Sequence, residues 1–297
     1  MSKNLSRVGY YCLISLRSSV SPRSPSIVRR KFCTFRANSS KSMSSPLTDY
    51  CSSASTDKPV ISIDTVKHWK ELCDKLNFSA SVAENVWQVL ETRYGEEQRH
   101  YHNIHHIRAL LRHSVKYADR ISDKEAVDLA IYFHDVVYDP KSKTNEEDSA
   151  DLFVNLCSPH INSTLCEKVR QYIIETKKHD VSLSDDNDLK LFIDMDMSIL
   201  GVHPTQYAIY SQQIRQEYEF VPEADYCRGR AAVLESFLQP STIEIAQPQT
   251  ISSTESVPAQ GNKKYIFATE LCRSLWEEQA RRNLAWECEI LNSGRLV

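Results

Sequence analysis

From about Val60 onward, apolar residues recur with a helical period and keep to it for most of the chain. Val66, Trp69, Leu72, Cys73 and Leu76 fall on one stripe of a helix, and Asp64 stands where an N-cap belongs. Val82, Val86, Val89 and Leu90 repeat the signature, and Arg93-Tyr94-Gly95-Glu96 reads as a turn. A helix over 103–118 carries Ile107, Leu110, Leu111 and Val115. The next starts at Ser122-Asp123-Lys124-Glu125, a capping-box pattern, and is expected to run through His134-Asp135 to Tyr138, where Pro140 ends it. Thr144-Asn145-Glu146-Glu147 is a second box-like start, followed by Ala150, Phe153, Val154 and Cys157. Leu165, Val169, Tyr172 and Ile173 form a further stripe, and 182–188 is a polar loop. Leu189 to Leu200 reads as helix, with Gly201 as its C′ residue. Pro204 opens a helix bearing Tyr207, Ile209, Tyr210, Ile214 and Tyr218, and Ala224–Leu238 follows. A closing helix over Thr269–Leu291 carries Leu271, Leu275, Ala280, Leu284 and Ile290. No strand pattern and no internal repeat emerge, so the expected fold is all-α, a bundle of about ten helices.

Two stretches break the period. Residues 1–48 hold nine Lys or Arg, no Asp or Glu, and many Ser, the composition of an organellar transit peptide. A polar linker continues to residue 58. This predicts a mitochondrial or plastid address; a tail, or translation from Met43, would leave the protein cytoplasmic. Residues 239–262 are Pro, Gln, Ser and Thr with little apolar content, an expected disordered insertion. The domain plan is therefore a targeting segment and linker at 1–58, then one all-α domain over 59–297 interrupted at 239–262.

Composition narrows the classes. The 297 residues carry a formal charge of −3, which gives no reason to expect a nucleic-acid polymer or a membrane surface as partner. Nine scattered Cys without a Cys-x-x-Cys read as reduced thiols. No apolar run approaches the roughly 18 residues of a transmembrane helix. Six Gly argue against glycine-rich phosphate loops.

The candidate chemistry sits in apolar surroundings. Ala130-Ile131-Tyr132-Phe133-His134-Asp135-Val136-Val137-Tyr138 places an imidazole and a carboxylate inside an apolar run. Each costs several kcal/mol to bury unless paired, and a metal cation is one such partner for mixed His and Asp donors. Upstream lies Tyr101-His102-Asn103-Ile104-His105-His106-Ile107, and downstream Phe192-Ile193-Asp194-Met195-Asp196-Met197. The residues nominated for one converging site are His106, His134, Asp135 and one of Asp194 or Asp196. A second His-Asp pair, His179-Asp180, stands in a polar segment.

The order His…His-Asp…Asp on an all-helical chain resembles the HD-domain superfamily of metal-dependent phosphohydrolases, and more closely its small predicted phosphohydrolases of bacterial type. The resemblance rests on Arg93-Tyr94-Gly95-Glu96, Arg99-His100-Tyr101-His102-Asn103, His106-Ile107, Phe133 to Tyr138, Asn145-Glu146 with Ser149-Ala150, Thr176 with His179, Asp194-Met195-Asp196 before Leu200-Gly201, Arg215 with Glu217-Tyr218, and Ala280 to Leu284. It spans roughly residues 60–297; the basic N-terminal segment and the 239–262 stretch are extra to it. It implies an HD-like helical bundle and a divalent metal, among Mn, Fe, Co, Zn and Mg, held by His106, His134, Asp135 and Asp196. Met195-Asp196 fits the family's last carboxylate better than Ile193-Asp194, and Asp194 is kept as the competing ligand or as an orienter of a ligand His.

The implied function is a phosphohydrolase whose metal activates water against a small phosphorylated substrate, nucleotides included. His134, Asp135, Glu146 and Arg99 are the catalytic candidates, and His102, Arg215 and His179 the substrate-binding ones. Arginine forks match phosphate oxygens, although a surface ion pair is the ordinary role of either Arg. Glu146 stands as general acid/base or as a helix N-terminal charge. Tyr101 and Tyr138 are pocket walls or core, and His105 faces solvent. The alternatives are an HD-type di-iron oxygenase, which needs extra imidazoles such as His179, and a non-enzymatic metal- or ligand-binding module.

Overall fold

The computed structural model describes residues 62–179, 181, 183–239 and 265–297. Their regular elements are all helical, with no strand among the described residues. In chain order they are α1 (Thr65–Lys75), α2 (Ala80–Tyr94), α3 (Ile104–Lys116), α4 (Lys124–Phe133), α5 (Asn145–Cys157), α6 (Ser163–Glu175), α7 (Asn187–Asp196), α8 (Pro204–Glu217) and α9 (Glu223–Leu238). A single turn, α10 (Glu270–Cys272), then passes through a π-helical turn (Arg273–Glu277) into α11 (Glu278–Asn292). Taken as one helix, that last run brings the described residues to ten, an all-α bundle as the periodicity predicts. The expected targeting segment and linker at 1–58, and residues 240–262 of the expected insertion, lie outside the described residues.

Short polar side chains start the helices. Asp64 accepts the N–H groups of Val66 and Lys67, Ser79 that of Val82, Asn103 that of His105, Asn162 that of Leu165, and Asp186 those of Asp188 and Leu189. Each such cap is worth about 1 kcal/mol. The two expected capping boxes close differently. Asp123, not Ser122, caps α4 through the Ala126 N–H, while the Ser122 N–H reaches Asp188. The Thr144 hydroxyl donates to Asp148 instead of accepting a backbone N–H of α5.

Helix α4 is the hub: every residue from Ala126 to Phe133 is buried, and it packs on α3, α5, α6 and α7. Apolar side chains buried this fully contribute about 1.5–3 kcal/mol each. The helix ends at Phe133, five residues short of the expected Tyr138. Pro140 has no N–H to give the Val136 carbonyl, so a helix here would leave that carbonyl without its donor. The Arg99 guanidinium supplies donors to the Asp135 and Val136 carbonyls at 2.6 and 2.9 Å. Ser149 Oγ bonds both the N–H and the carbonyl of Val137, and Asn145 does the same for Asp139. The apolar run that reads as helix is thus a buried turn whose backbone is satisfied by side chains.

Two further expectations change at Gly201 and in the closing helix. Gly201 does not have the positive φ of a C′ residue; a Cβ there would lie 2.4 Å from the Trp276 Cβ, so glycine is required by close packing against the π-helical turn. That same turn interrupts the closing helix and shifts its phase, leaving Leu275 44% exposed instead of on the buried stripe. Among the described residues, no helix is long and apolar enough to cross a membrane.

Candidate metal centre

Three elements deliver the candidate ligands. Asn103 caps α3 and starts the turn that carries His106, which is buried. His134 closes α4, and its Nδ1 lies 2.9 Å from the Ile131 carbonyl. In the neutral ring that bond places the proton on Nδ1 and leaves Nε2 bare. Asp135 follows in the buried turn, held by Arg99 on its own carbonyl. Asp196 is the last residue of α7.

Their donor atoms converge. The Nε2 atoms of His106 and His134 are 3.1 Å apart. Asp135 Oδ2 lies 3.1 Å from the His134 nitrogen and 3.5 Å from that of His106. Asp196 Oδ1 lies 3.2 Å from His106 and 3.6 Å from His134. Donors held at about 2.0–2.2 Å from one ion stand about 2.9–3.6 Å from each other in octahedral or tetrahedral arrangements. All five spacings fall in that range, and the buried group of His106, His134 and Asp135 fits a divalent cation. His106, His134 and Asp135 form the tightest group; Asp196 reaches both rings with one oxygen and accepts from His179 Nε2 at 3.0 Å with the other. A set of two nitrogens and two carboxylates suits Mn, Fe, Co or Zn better than Ca.

The charges within the group act on one another in opposite directions. Burial opposes protonating His134, but Asp135 and Asp196 overcome it and hold the imidazole well above its ordinary value. On His106, burial prevails over the help of Asp196, and the ring is lowered. Both carboxylates are pushed down against the cost of their burial, Asp135 by His134 and Asp196 by His106, His134 and His179. The second nitrogen of His106, Nδ1, is buried without a hydrogen-bond partner, and its ring is seated against Tyr101 at 5.0 Å.

The group opens onto a partly enclosed cleft whose walls include Tyr101, His102, Glu146, Thr176, His179 and Ile199. Glu146 occupies the first turn of α5, and burial, aided by the charge of Asp135, raises its carboxyl above the ordinary range. His179 takes a left-handed backbone, φ +48°, at a residue that rarely adopts one. His102 has its Nδ1 2.6 Å from Glu217, whose charge lifts the ring against the effect of burial. Tyr138 stacks on the His102 ring at 4.4 Å.

The remaining candidates are placed elsewhere. Asp194 does not join the cluster: its oxygens accept the N–H groups of Ala268 and Thr269 and the Thr269 hydroxyl, at 2.6–2.7 Å. None of these partners is a histidine. The Arg99 side chain is fully buried and donates to Glu96 and to the carbonyls of His102, Asp135 and Val136. Four of its five N–H groups are used in building the turn. Arg215 donates to the carbonyls of Tyr218 and Val221 and lies over the Tyr226 ring, shaping the connection from α8 to α9. Neither arginine lines the cleft. Glu217 is the residue to which sequence reasoning assigned no role. Its signal was available: it lies with Tyr210, Ile214 and Tyr218 on the apolar stripe of α8, where an acid needs partners.

Comparison of the chain with protein-family models, with curated proteins and with solved structures gives no match.

Proposed function

We propose that the chain is a metal-dependent hydrolase of small phosphorylated molecules. The observation that carries this reading is the convergence of Asp135 Oδ2 and Asp196 Oδ1 on the Nε2 atoms of His106 and His134, at 3.1–3.6 Å from those nitrogens, beside a partly enclosed cleft. Four protein donors leave positions for water and substrate in a six-coordinate ion. When bound, such an ion lowers the pKa of its water toward about 7 and offsets charge on phosphoryl oxygens. The protein's own residues hold the ligands in register, Arg99 through the Asp135 backbone and His179 through Asp196 Oδ2. Glu146, raised by burial, is placed to give a proton to a leaving oxygen. Among the described residues, no Ser or Cys lines the cleft. The motif order that resembles HD phosphohydrolases supports the same reading, and the acid-free N-terminal 48 residues support an organellar address.

A second reading has its own observation. His102 and His179 bring two further imidazoles to the cleft, the donors an HD-type di-iron oxygenase would need. The test is to purify the full chain, measure bound metals, record the electronic spectrum, and screen phosphate esters and anhydrides with each divalent ion. Hydrolysis that is lost together with metal in His134→Ala, with helicity intact, supports the hydrolase. Equal hydrolysis in a metal-free preparation or in that variant refutes it. An iron-dependent visible absorption without hydrolysis moves the assignment to oxygen chemistry.

A further inference from the structure

Of the imidazoles that reach the cleft, His102 is the one whose far side is fully engaged. Glu217, at the end of α8 and 4% exposed, lies behind it. Its Oε1 accepts the N–H groups of Tyr101 and His102 at 2.7 and 3.0 Å. Its Oε2 is 2.6 Å from His102 Nδ1 and accepts the Tyr138 hydroxyl at 2.8 Å. These contacts keep Glu217 ionised, its carboxyl held down to about 2 despite burial, chiefly by His102. An ionised carboxylate only accepts, so Nδ1 must be the donor of the 2.6 Å bond. In the neutral ring this leaves Nε2 bare, on a residue that lines the cleft with Asp135 and Asp196.

A purely structural tie between α8 and the turn before α3 would be complete with the two backbone bonds to Oε1. The pair on Oε2 does something else: it fixes the plane and the tautomer of an imidazole whose other face is pinned by the Tyr138 ring. We propose that Glu217 is a positioning residue of the hydrolytic site, fixing His102 so that the Nε2 of its neutral ring accepts a hydrogen bond from the attacking water and orients it toward the phosphoryl group. This inference rests on the hydrolase reading above. His102 is the group that touches water; Glu217 acts through it. Orientation by such a fixed acceptor is a contribution separate from metal binding, because neither residue is among the four converging donors.

Glu217→Gln tests it, since the amide fits the same space, keeps an oxygen for the two backbone N–H groups, and presents a donor to Nδ1. Ring nitrogens of histidine in the full chain are labelled with nitrogen-15 and observed by NMR at alkaline pH, with His102→Gln identifying the His102 signals. The expected wild-type result is a bare Nε2 and a protonated Nδ1, exchanged in Glu217→Gln. The same variant should lose about 10- to 100-fold in kcat on para-nitrophenyl phosphate, with KM and bound metal unchanged. A protonated Nε2 in the wild type overturns the inference, and that measurement needs no variant. An exchange of tautomer without loss of kcat overturns it too. If the loaded wild type hydrolyses no phosphate ester, the proposed function falls and the water-orienting role with it; the nitrogen shifts still decide, separately, whether Glu217 sets the tautomer.

Discussion

Asp194 and Asp196 stand two positions apart on α7, and their carboxylates serve different neighbours. Asp194 takes three donors from Ala268 and Thr269, holding the start of the C-terminal helical run against α7. Asp196 faces the imidazoles of His106, His134 and His179. Asp196→Ala should therefore lose bound metal while the fold persists. Asp194→Ala should lose stability, by about 1–3 kcal/mol for the donors left without an acceptor, while retaining most metal binding below its lowered melting point. Metal content by elemental analysis and melting by circular dichroism separate the two; greater metal loss in Asp194→Ala would reverse the assignment.

Arg99 offers a second discrimination between site and scaffold. Its guanidinium bridges Glu96 with the carbonyls of His102, Asp135 and Val136, and its plane lies 5.2 Å from the Tyr94 ring and 5.5 Å from that of Tyr138. Lysine keeps the charge but not the fork. Arg99→Lys should cost about 2–4 kcal/mol in urea unfolding and weaken metal retention, because the turn carrying Asp135 loses its donors. A substrate-binding arginine would behave otherwise: the fold would be unchanged and only KM would rise.

The helices were legible because their cores obey the 3.6-residue period and short polar residues start them, as Asp64 does where a cap was expected. The turn at 134–138 was not legible. An apolar run buried in a turn has the same composition as one buried in a helix, and the donors that satisfy it come from Arg99, Asn145 and Ser149. The choice between Asp194 and Asp196 was equally closed to periodicity, since the contact that claims Asp194 arises more than 70 residues later in the chain. The roles expected for Arg99 and Arg215 rested on chemical type and on motif resemblance, and neither shows that backbone carbonyls already hold the guanidinium.

Behind the cleft wall, Arg230 and Glu287 form a buried pair at 2.9 Å, with Tyr207 and Ser211 donating to the same carboxylate. Burial opposes the charge on Glu287, but Arg230 prevails and holds the group below its ordinary value of 4.5. A depressed carboxylate contributes stability that is fully present above the unfolded-state pKa and is lost as pH falls through the folded one. The wild type should therefore lose stability below about pH 4.5, partly through Glu287. Glu287→Gln should cost about 3–5 kcal/mol near neutrality, since it strips Arg230 of its carboxylate, and should flatten that acid limb. Denaturant unfolding of both proteins across pH checks it; parallel curves would show that Glu287 does not titrate differently in the two states.

Metal removal provides the last test, because the ligand set is costly without its ion. Each of the two carboxylates has an oxygen within 3.1–3.6 Å of both imidazole nitrogens, which are 3.1 Å apart, and all four side chains are largely shielded from solvent. A cation bound only by the folded chain stabilises it by mass action, about 2.7 kcal/mol when free metal is a hundredfold above Kd. Adding a chelator should lower the melting temperature, and adding back Mn, Co or Zn should restore it in proportion to the logarithm of free metal. His134→Ala should show neither response, since its Nε2 is one of the converging donors. The variant also removes a ring whose Nδ1 holds the Ile131 carbonyl, so it should start from a lower melting point than the chelated wild type. Differential scanning calorimetry of the two proteins, with and without metal, resolves both effects; equal metal-dependent stabilisation in wild type and variant would place the binding site elsewhere.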